Sequence, residues 1–225
     1  MIPIRETPIP EKTENKWQKI VNIMAEVLKV PSAIITRIKP PEIEVVSSAE
    51  KKENPYKEGD TVELANHYCE AVVKTKKHLE IHNAKKLERW KDAPEIEYGI
   101  ISYLGYPIKW PGGEIFGTIC ILDSKSNEYG KIYHLLVQEF KELVETHLKM
   151  VNMIKELKEK NDQLKKTLKE VSVLRDLIPI CLKCHKVKTK EGYWEKLERY
   201  FSKHGDIKFS HGYCEECSKE ILRDI

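Results

Sequence analysis

One run of apolar residues in the second half of the chain constrains the fold more than any other feature of the sequence. From Leu136 to Val171, apolar residues recur in alternating steps of four and three, which is an unbroken heptad register. The flanking positions are rich in Lys and Glu, so the pattern predicts one long helix over 136–178. The a and d positions are Leu136, Phe140, Leu143, His147, Met150, Ile154, Leu157, Asn161, Leu164, Leu168 and Val171.

The register also predicts how this helix is used. Asn161 occupies an a position between Leu157 and Leu164, and a buried Asn is tolerated there when it pairs with its mate across a parallel dimer. We therefore predict a parallel homodimer through residues 136–174. The alternative is a single amphipathic helix packed on its own domain. Because the register starts inside the globular region, its first turns are expected to serve both purposes.

Cysteine spacing marks a separate small unit at residues 179–225. C-x2-C occurs twice there, and two such pairs are the ligand set of a closed tetrahedral zinc site. Haem attachment through the first pair, which reads C-x-x-C-H, or a thioredoxin-like dithiol would leave the second pair unexplained. A segment this short also needs a cross-link to hold a core. We therefore predict a structural Zn²⁺ bound by Cys181, Cys184, Cys214 and Cys217.

Other ligands and metals stay open for this unit. His185 directly follows the first pair and His211 shortly precedes the second, so either could replace a cysteine. An iron–sulfur cluster could use the same four thiolates. Between residues 181 and 225, basic residues only slightly outnumber acidic ones, and zinc with four thiolates adds negative charge. Nucleic-acid binding is therefore not expected.

The first part of the chain alternates between helix and strand patterns. Residues 1–12 predict an extended, proline-containing lead-in, after which Thr13 is placed to cap a helix with one apolar face. Residues 13–135 predict an α+β domain with an antiparallel sheet flanked by helices. The strands are expected at 32–38, 43–49, 79–84, 100–110 and 114–124, and a second helix at 64–75.

Composition bounds the compartment and the class of partner. The 225 residues carry a formal net charge of only +3, so no overall field points to nucleic acid or a membrane surface. The first residues lack the apolar core of a secretory signal, and no apolar run is long enough to span a bilayer. We therefore predict a cytoplasmic protein, where paired cysteines favour metal binding over disulfides. Abundant Lys and Glu with scarce Gln predict a thermophilic source.

Two apolar stretches of the first domain, SYLGYPI at 102–108 and GEIFGTICILD at 113–123, carry a recognisable pattern. They resemble the paired central strands of the GAF family of sensor domains, and the resemblance extends over residues 14–148. It implies a PAS-like antiparallel sheet with helices on both sides and a ligand pocket near the irregular segment 87–99. By position in that pocket, the candidate ligand-binding residues are Tyr68, Trp90, Tyr98, Tyr103 and Cys120.

The C-terminal unit carries a second pattern, in which G-Y-W at 192–194 and F-S-H-G at 209–212 lie between the two cysteine pairs. This arrangement resembles a short Cys-rich module that follows PAS or GAF domains in bacterial sensor proteins. The resemblance implies that C-x-x-C is the pattern of the family and that His185 is incidental.

These observations predict a signal-sensing regulatory protein. A small ligand of unknown identity in the GAF-like pocket would alter the dimeric coiled coil, and the zinc module would contact a signalling protein partner. One alternative is a dimeric adaptor whose GAF-like domain senses nothing. A second is a GAF-fold thiol reductase acting on methionine sulfoxide, with Cys69 and Cys120 as nucleophile and resolving thiol.

Overall fold

The first domain is built on one antiparallel sheet. The structure, a computed structural model, describes residues 7–175, 178–204 and 209–221. The strands of the sheet are β1 (Ser32–Lys39), β2 (Glu42–Ser48), β3 (Thr61–Glu63), β4 (Leu79–Ile81), β5 (Ser102–Lys109) and β6 (Ile115–Asp123). They follow the order β3-β2-β1-β6-β5-β4, and every neighbouring pair is antiparallel. The predicted α+β fold with an antiparallel sheet is confirmed.

Three helices accompany this sheet, namely α1 (Glu11–Val27), α2 (Tyr68–Thr75) and α3 (Lys131–Arg175). Thr13 was expected to cap α1, but the helix already begins at Glu11, after Pro10 in an extended conformation. Pro10 makes no side-chain cap, and its carbonyl accepts the first hydrogen bonds of the helix, from the N–H groups of Thr13 at 2.7 Å and Glu14 at 3.2 Å. No helix in the described part of the chain is both long and apolar enough to cross a membrane.

One face of the sheet lies under α1 and α3, and we call it the packing face. Trp17 of α1 is fully buried there, and its ring meets Phe116 edge-on with centroids 5.6 Å apart. The indole Nε1 of Trp17 donates a hydrogen bond to Nδ1 of His147 on α3 at 3.2 Å. Alternate strand residues such as Ile35 and Ile119 complete this core, as the two-residue period of a strand requires.

The opposite face, which we call the cavity face, is covered by α2 and the segment 84–100. Its core takes the other strand residues, among them Ile34 and Leu122, together with Tyr68 and Cys69 of α2. The covering segment contains only two 3₁₀ turns, Ala84–Lys86 and Pro94–Ile96, and no long helix. The same strands therefore contribute to two cores, one covered by α1 and α3 and the other by α2 and the segment 84–100.

The long helix α3 has two neighbouring apolar stripes. Val144, Leu148 and Val151 are buried against the packing face. The a and d positions of the register lie one residue earlier, about 100° around the helix, and His147 among them is buried against Trp17. The other d and a residues from Leu143 onward are 41% to 66% exposed. The predicted long helix is confirmed, whereas the coiled coil and the homodimer stay predictions.

The chain divides into two compact units, Met1–Lys158 and Glu159–Ile225. The predicted boundary at residue 135 falls inside α3, which begins at Lys131. Residues 1–6 of the predicted lead-in lie outside the described residues.

The C-terminal unit has little regular structure beyond the end of α3. A two-stranded antiparallel ribbon is formed by β7 (Val187–Lys188) and β8 (Trp194–Glu195). It is followed by α4 (Leu197–His204) and, after a gap in the described residues, by α5 (Glu215–Ile221). Residues 205–208 and 222–225 of the predicted module lie outside the described residues.

Candidate functional site

A cavity of about 300 Å³ lies on the cavity face, at the β1–β2–β3 side of the sheet. This volume is at the lower end of the range found for small-molecule pockets. Strand side chains form an apolar wall, and polar groups come from α2, the 3₁₀ turn at Pro94–Ile96 and the loop before β3. The apolar wall includes Ile34, Ile43, Val45, Val62 and Leu122. The polar side consists chiefly of Tyr56, Asp60, His67, Cys69, Glu95 and Tyr98.

Glu95 is a buried carboxylate in this wall, and only one of its two oxygens has a hydrogen-bond partner among the described residues. The whole residue is 3% exposed, and its Oε1 accepts a hydrogen bond from the backbone N–H of Tyr68 at 2.8 Å. The same oxygen lies 3.1 Å from Nδ1 of His67. Oε2 is buried and has no hydrogen-bond partner among the described residues. A buried acceptor without a partner costs about 1–3 kcal/mol, which a hydrogen-bond donor that reached Oε2 would recover.

His67 holds the opposite charge at the start of α2. Burial disfavours the imidazolium, but the hydrogen bond and the charge of Glu95 together outweigh it and raise the pKa of His67 above its ordinary value. The two side chains are only 13% and 4% exposed, so water screens their attraction little. The pair therefore favours the protonated form of His67.

Cys69 and Cys120 are two neighbouring buried free thiols, of which Cys69 borders the cavity and Cys120 lies in the core behind it. Cys69 lines the cavity, and its Sγ accepts a hydrogen bond from Oγ1 of Thr118 at 3.3 Å. A hydrogen bond from Cys120, and further ones from Thr118 and Tyr103, lower the pKa of Cys69 against the effect of its burial. Burial raises the pKa of Cys120. Cys69 is therefore the thiol of this pair that ionises more readily.

Tyr103 reaches Cys69 because the residue two positions along the strand has no side chain. Residues i and i+2 of a strand face the same side, and a Cβ added at Gly105 would overlap the hydroxyl end of Tyr103. The ring therefore lies over Gly105, with its hydroxyl 3.5 Å from Sγ of Cys69. The glycine of the SYLGYPI stretch thus makes room for a flat aromatic floor.

The five residues predicted for the pocket occupy two different places. Tyr98 lines the cavity and is 55% exposed, which puts it at the mouth. Tyr68, Trp90, Tyr103 and Cys120 are buried in the core of the cavity face and do not line the cavity. Tyr68 is central among them, since its ring lies 5.3 Å from the rings of both Trp90 and Tyr103. The structure thus brings these four together as packing around the floor.

Sequence reasoning did not find the carboxylates of the site. Glu95 and Glu97 flank Ile96 in the same polar segment, yet Glu95 is buried and Glu97 is exposed. Pro94, which starts the 3₁₀ turn, is the only nearby signal, and it does not say which glutamate turns inward. Asp60 precedes β3, a short strand that the sequence pattern did not predict.

The two cysteine pairs of the C-terminal unit each show local geometry that stabilises a thiolate. Backbone N–H groups of Cys184 and Lys183 lower the pKa of Cys181, and those of the second pair, led by Cys217, lower the pKa of Cys214. His185 has a left-handed backbone with φ 57°, and its N–H donates to the carbonyl of Cys181 at 2.9 Å. Thiolates are the form that binds zinc, so the donor chemistry of each pair suits a metal.

The four cysteines are not placed together as the ligands of one metal ion in the described part of the chain. In the described ranges, no three His, Cys, Asp or Glu side chains are placed together so that they could hold a metal ion. A closed zinc site needs four ligands around one ion. Each pair fits a metal by chemistry, and the joint site of Cys181, Cys184, Cys214 and Cys217 stays a prediction.

Comparison with solved structures identifies the fold of the first domain. It is similar to the GAF domain of an Acinetobacter phosphoenolpyruvate-protein phosphotransferase, with 15% identity, a TM-score of 0.52, and coverage of 68% of this chain and 90% of that chain. It is also similar to a type II free methionine-R-sulfoxide reductase from Thermoplasma acidophilum, with 13% identity, a TM-score of 0.52, and coverage of 64% and 97%. A phycoerythrobilin-bound GAF domain of a cyanobacterial phytochrome has 13% identity, a TM-score of 0.55, and coverage of 67% and 90%.

Comparison at the level of sequence gives the family. No curated protein is similar to this chain. The family model described as GAF domain matches residues 13–148, which is more than half of the chain and includes the sheet, both of its covers and the cavity. The chain therefore belongs to the GAF domain family.

Proposed function

We propose that this protein is a sensor whose GAF domain binds a small ligand in the cavity on the cavity face of the sheet. The proposal is carried by the cavity of about 300 Å³, whose wall holds the buried and unpartnered Oε2 of Glu95. A donor group of a ligand would satisfy this oxygen, and the apolar wall would bury the body of the ligand. The phycoerythrobilin-bound relative indicates that the same fold can hold a small molecule.

The shared strands offer a physical route from the cavity to α3. Ile34 and Leu122 line the cavity, whereas their chain neighbours Ile35 and Ile121 belong to the core under α1 and α3. Protein cores are close-packed, so a ligand that shifts β1 or β6 must also shift the side chains on the other face. The signal would therefore reach the helix that leaves the domain.

The exposed stripe of α3 would pass the signal to a second copy of the chain. Ile154 and Leu157 are 66% and 64% exposed, and Leu164 and Leu168 are both 59% exposed. Apolar residues at successive a and d positions are expected to be covered by a partner helix. We therefore keep the parallel homodimer through 136–174 as part of the proposal.

The dimer is tested by placing charge in the stripe. Leu157→Lys combined with Leu164→Lys should give a monomer in sedimentation velocity, because four like charges would meet in the seam of the dimer. Asn152→Lys, at an outer f position, is the control and should remain dimeric. An unchanged mass for the double variant would reject the coiled coil.

The sensor is tested by asking whether the cavity is used. Native mass spectrometry of protein purified from its own host should reveal a co-purifying small molecule at stoichiometric occupancy. Val62→Trp, which fills the cavity, should abolish it, whereas Val27→Trp on the exposed side of α1 should not. No bound molecule, together with no thermal shift across metabolite panels, would leave the dimeric adaptor as the better interpretation.

A second function has one specific observation in its favour. Cys69 lines the cavity beside Cys120, and a similar structure is a free methionine-R-sulfoxide reductase. In this reaction the Cys69 thiolate would attack the sulfoxide and one proton would be taken up. Transfer of the oxygen to Sγ would then release the thioether and leave a sulfenic acid on Cys69. Attack by the Cys120 thiol would then form a disulfide and release water, and an external dithiol would regenerate both thiols.

The reductase is tested by turnover of methionine sulfoxide with dithiothreitol as the reductant. Activity that is lost in Cys69→Ser and Cys120→Ser, but kept in Cys217→Ser, would favour the enzyme over the sensor. No turnover by the native protein removes the enzyme.

The C-terminal unit completes the proposal as a structural zinc module that contacts a signalling partner. Metal analysis should give about one Zn²⁺ per chain bound by the four cysteines. Replacing Cys214 and Cys217 with Ser should unfold residues 179–225 and leave the GAF domain intact, because metal binding and local folding are linked. Circular dichroism and limited proteolysis would measure both, and a metal-free native protein would exclude the module.

A further inference from the structure

The cavity carries unbalanced negative charge. Glu95 and Asp60 both line it, and His67 is the single basic side chain among its described lining residues, which include no Lys or Arg. Even a fully protonated His67 would offset only one of the two carboxylates. Asp60 uses Oδ2 to accept from the backbone N–H of Lys57 at 2.7 Å, which does not neutralise its charge.

The unpartnered oxygen specifies the kind of group that would satisfy it. Oε1 of Glu95 already meets His67 and the N–H of Tyr68, whereas Oε2 has no described partner. A carboxylate oxygen can only accept a hydrogen bond, so the complementary ligand atom must carry a proton to donate. A charged N–H donor gains most in such a site, since charge-assisted hydrogen bonds are about twice as strong as neutral ones.

Two aromatic rings of the cavity lining add to the same preference. Tyr56 and Tyr98 both line the cavity, and their ring centroids are 6.1 Å apart with the planes tilted by 56°. Burial and the nearby charge of Glu95 raise the pKa of Tyr56, which keeps its phenol neutral. Neutral aromatic faces attract organic cations at distances up to about 6 Å.

We infer that the cavity selects a small organic cation, namely an amine or amidine on an apolar body, and rejects phosphates and carboxylates. This inference rests on the proposed function, because it names the ligand class of the same cavity. The cationic N–H donates to the carboxylate of Glu95, and the apolar body lies along Ile34, Val45 and Leu122. An anion would meet two carboxylates, and its desolvation would not be repaid by any Lys or Arg of the described lining.

Three probes of one shape test the charge preference on the full-length protein. Benzylamine, benzyl alcohol and benzoate share a phenyl ring and differ mainly in a cationic, neutral or anionic end group. Dissociation constants from ligand-observed NMR at millimolar probe concentration should rank benzylamine first, at least about tenfold tighter than benzoate. Benzoate ranking first would overturn the inference, as would failure of all three probes to bind.

A matched pair of variants locates the effect at one carboxylate. Glu95→Gln keeps the shape but removes the charge and replaces one acceptor oxygen with a donor, so benzylamine should bind about tenfold more weakly while benzyl alcohol changes little. Glu97→Gln removes the same charge from the exposed neighbour two residues away and should leave the ranking unchanged. Equal effects of the two variants would contradict a site at Glu95. If Glu95→Gln fails to fold, the probe ranking on the native protein still decides.

These experiments also distinguish the cation preference from the proposed ligand-binding function. A co-purified ligand that proves to be an anion would reject the cation preference and leave the proposed ligand-binding function standing. A protein that binds neither the probes nor any co-purified molecule would reject both.

Discussion

Successive residues of the same strands build two cores that treat their polar groups differently. On the packing face, the indole N–H of Trp17 donates to His147, and the hydroxyl of Tyr129 donates to Oγ of Ser102 at 3.0 Å. Among the described residues, one buried side-chain atom without a partner lies on the packing face, namely Oγ of Ser47, which is opposite Ile35. The cavity face has three such atoms: Oγ of Ser32, the hydroxyl of Tyr68 and Oε2 of Glu95. Satisfied polar groups stabilise a fold, whereas unsatisfied ones lower its stability and mark places where a ligand can bind.

The largest expected effect comes from the centre of the packing face. Trp17→Ala removes a fully buried ring and its hydrogen bond to His147, so it should lower the free energy of unfolding by about 3–5 kcal/mol. Trp90→Ala on the cavity face should cost less, because Trp90 lies in an irregular segment that can relax into the space. Urea denaturation measures both, and a larger loss for Trp90 would contradict this comparison.

An intermediate effect is expected where the floor of the cavity face is tightest. Gly105→Ala should cost about 1–3 kcal/mol, because the new Cβ displaces the Tyr103 ring. Gly112→Ala is the matched control, since a Cβ there meets nothing within 4 Å. Adding Tyr103→Val to Gly105→Ala should recover part of the loss, and strictly additive costs in denaturation would contradict the overlap.

Two tyrosines should respond to the same substitution in opposite directions. Tyr129→Phe loses a satisfied hydroxyl and should destabilise the protein by about 1 kcal/mol. Tyr68→Phe removes a buried hydroxyl that has no described partner, so it should be neutral or stabilising by up to about 1 kcal/mol. Thermal unfolding of the two variants beside the native protein measures the difference, and losses of the same size would reject the contrast between the faces.

The smallest effects concern pH, and two histidines should again oppose each other. The pKa of His67 is raised, so its pair with Glu95 contributes stability that is complete below pH 6.5 and is lost as pH rises through the folded-state value. Burial and then Lys16 lower the pKa of His147, so its contribution is complete above pH 6.5 and is lost as pH falls through the folded-state value.

The measurement is the melting temperature as a function of pH. His67→Gln should remove a decline on the alkaline side, and His147→Gln should remove one on the acidic side, each by at most roughly 2–4 °C. The same dependence in both variants would mean that neither histidine is responsible.

Periodicity explains which parts of the fold the sequence could predict. The strands near 32–38 and 114–124 and the long helix are confirmed. Their apolar residues recur with the period of a strand, two residues, or of a helix, 3.6 residues, so the sequence alone indicates them. The three-residue strand β3 is too short to show a period, so it was missed. The part that β3 plays in the cavity was therefore not predicted, although Glu95 and Tyr98 of the expected segment 87–99 do line it.

The candidate site was predictable only in part, because its chemistry arises from contacts between distant segments. Tyr98 was found by its place in the irregular segment, whereas Glu95 acquires its role through His67 and Tyr68, 28 and 27 residues away. The sequence alone also could not separate the two stripes of α3, since His147 fits the heptad register and yet packs against Trp17.

The flat floor over Gly105 has a consequence for how this sequence can diverge. Tyr103 occupies the space that any side chain at 105 would need, so the two positions form one unit of variation. A lineage that acquired a larger residue at 105 would first have to lose the ring at 103, and with it the hydroxyl beside Cys69. Among descendants of this chain, the thiol environment of the cavity is therefore tied to the persistence of a single glycine.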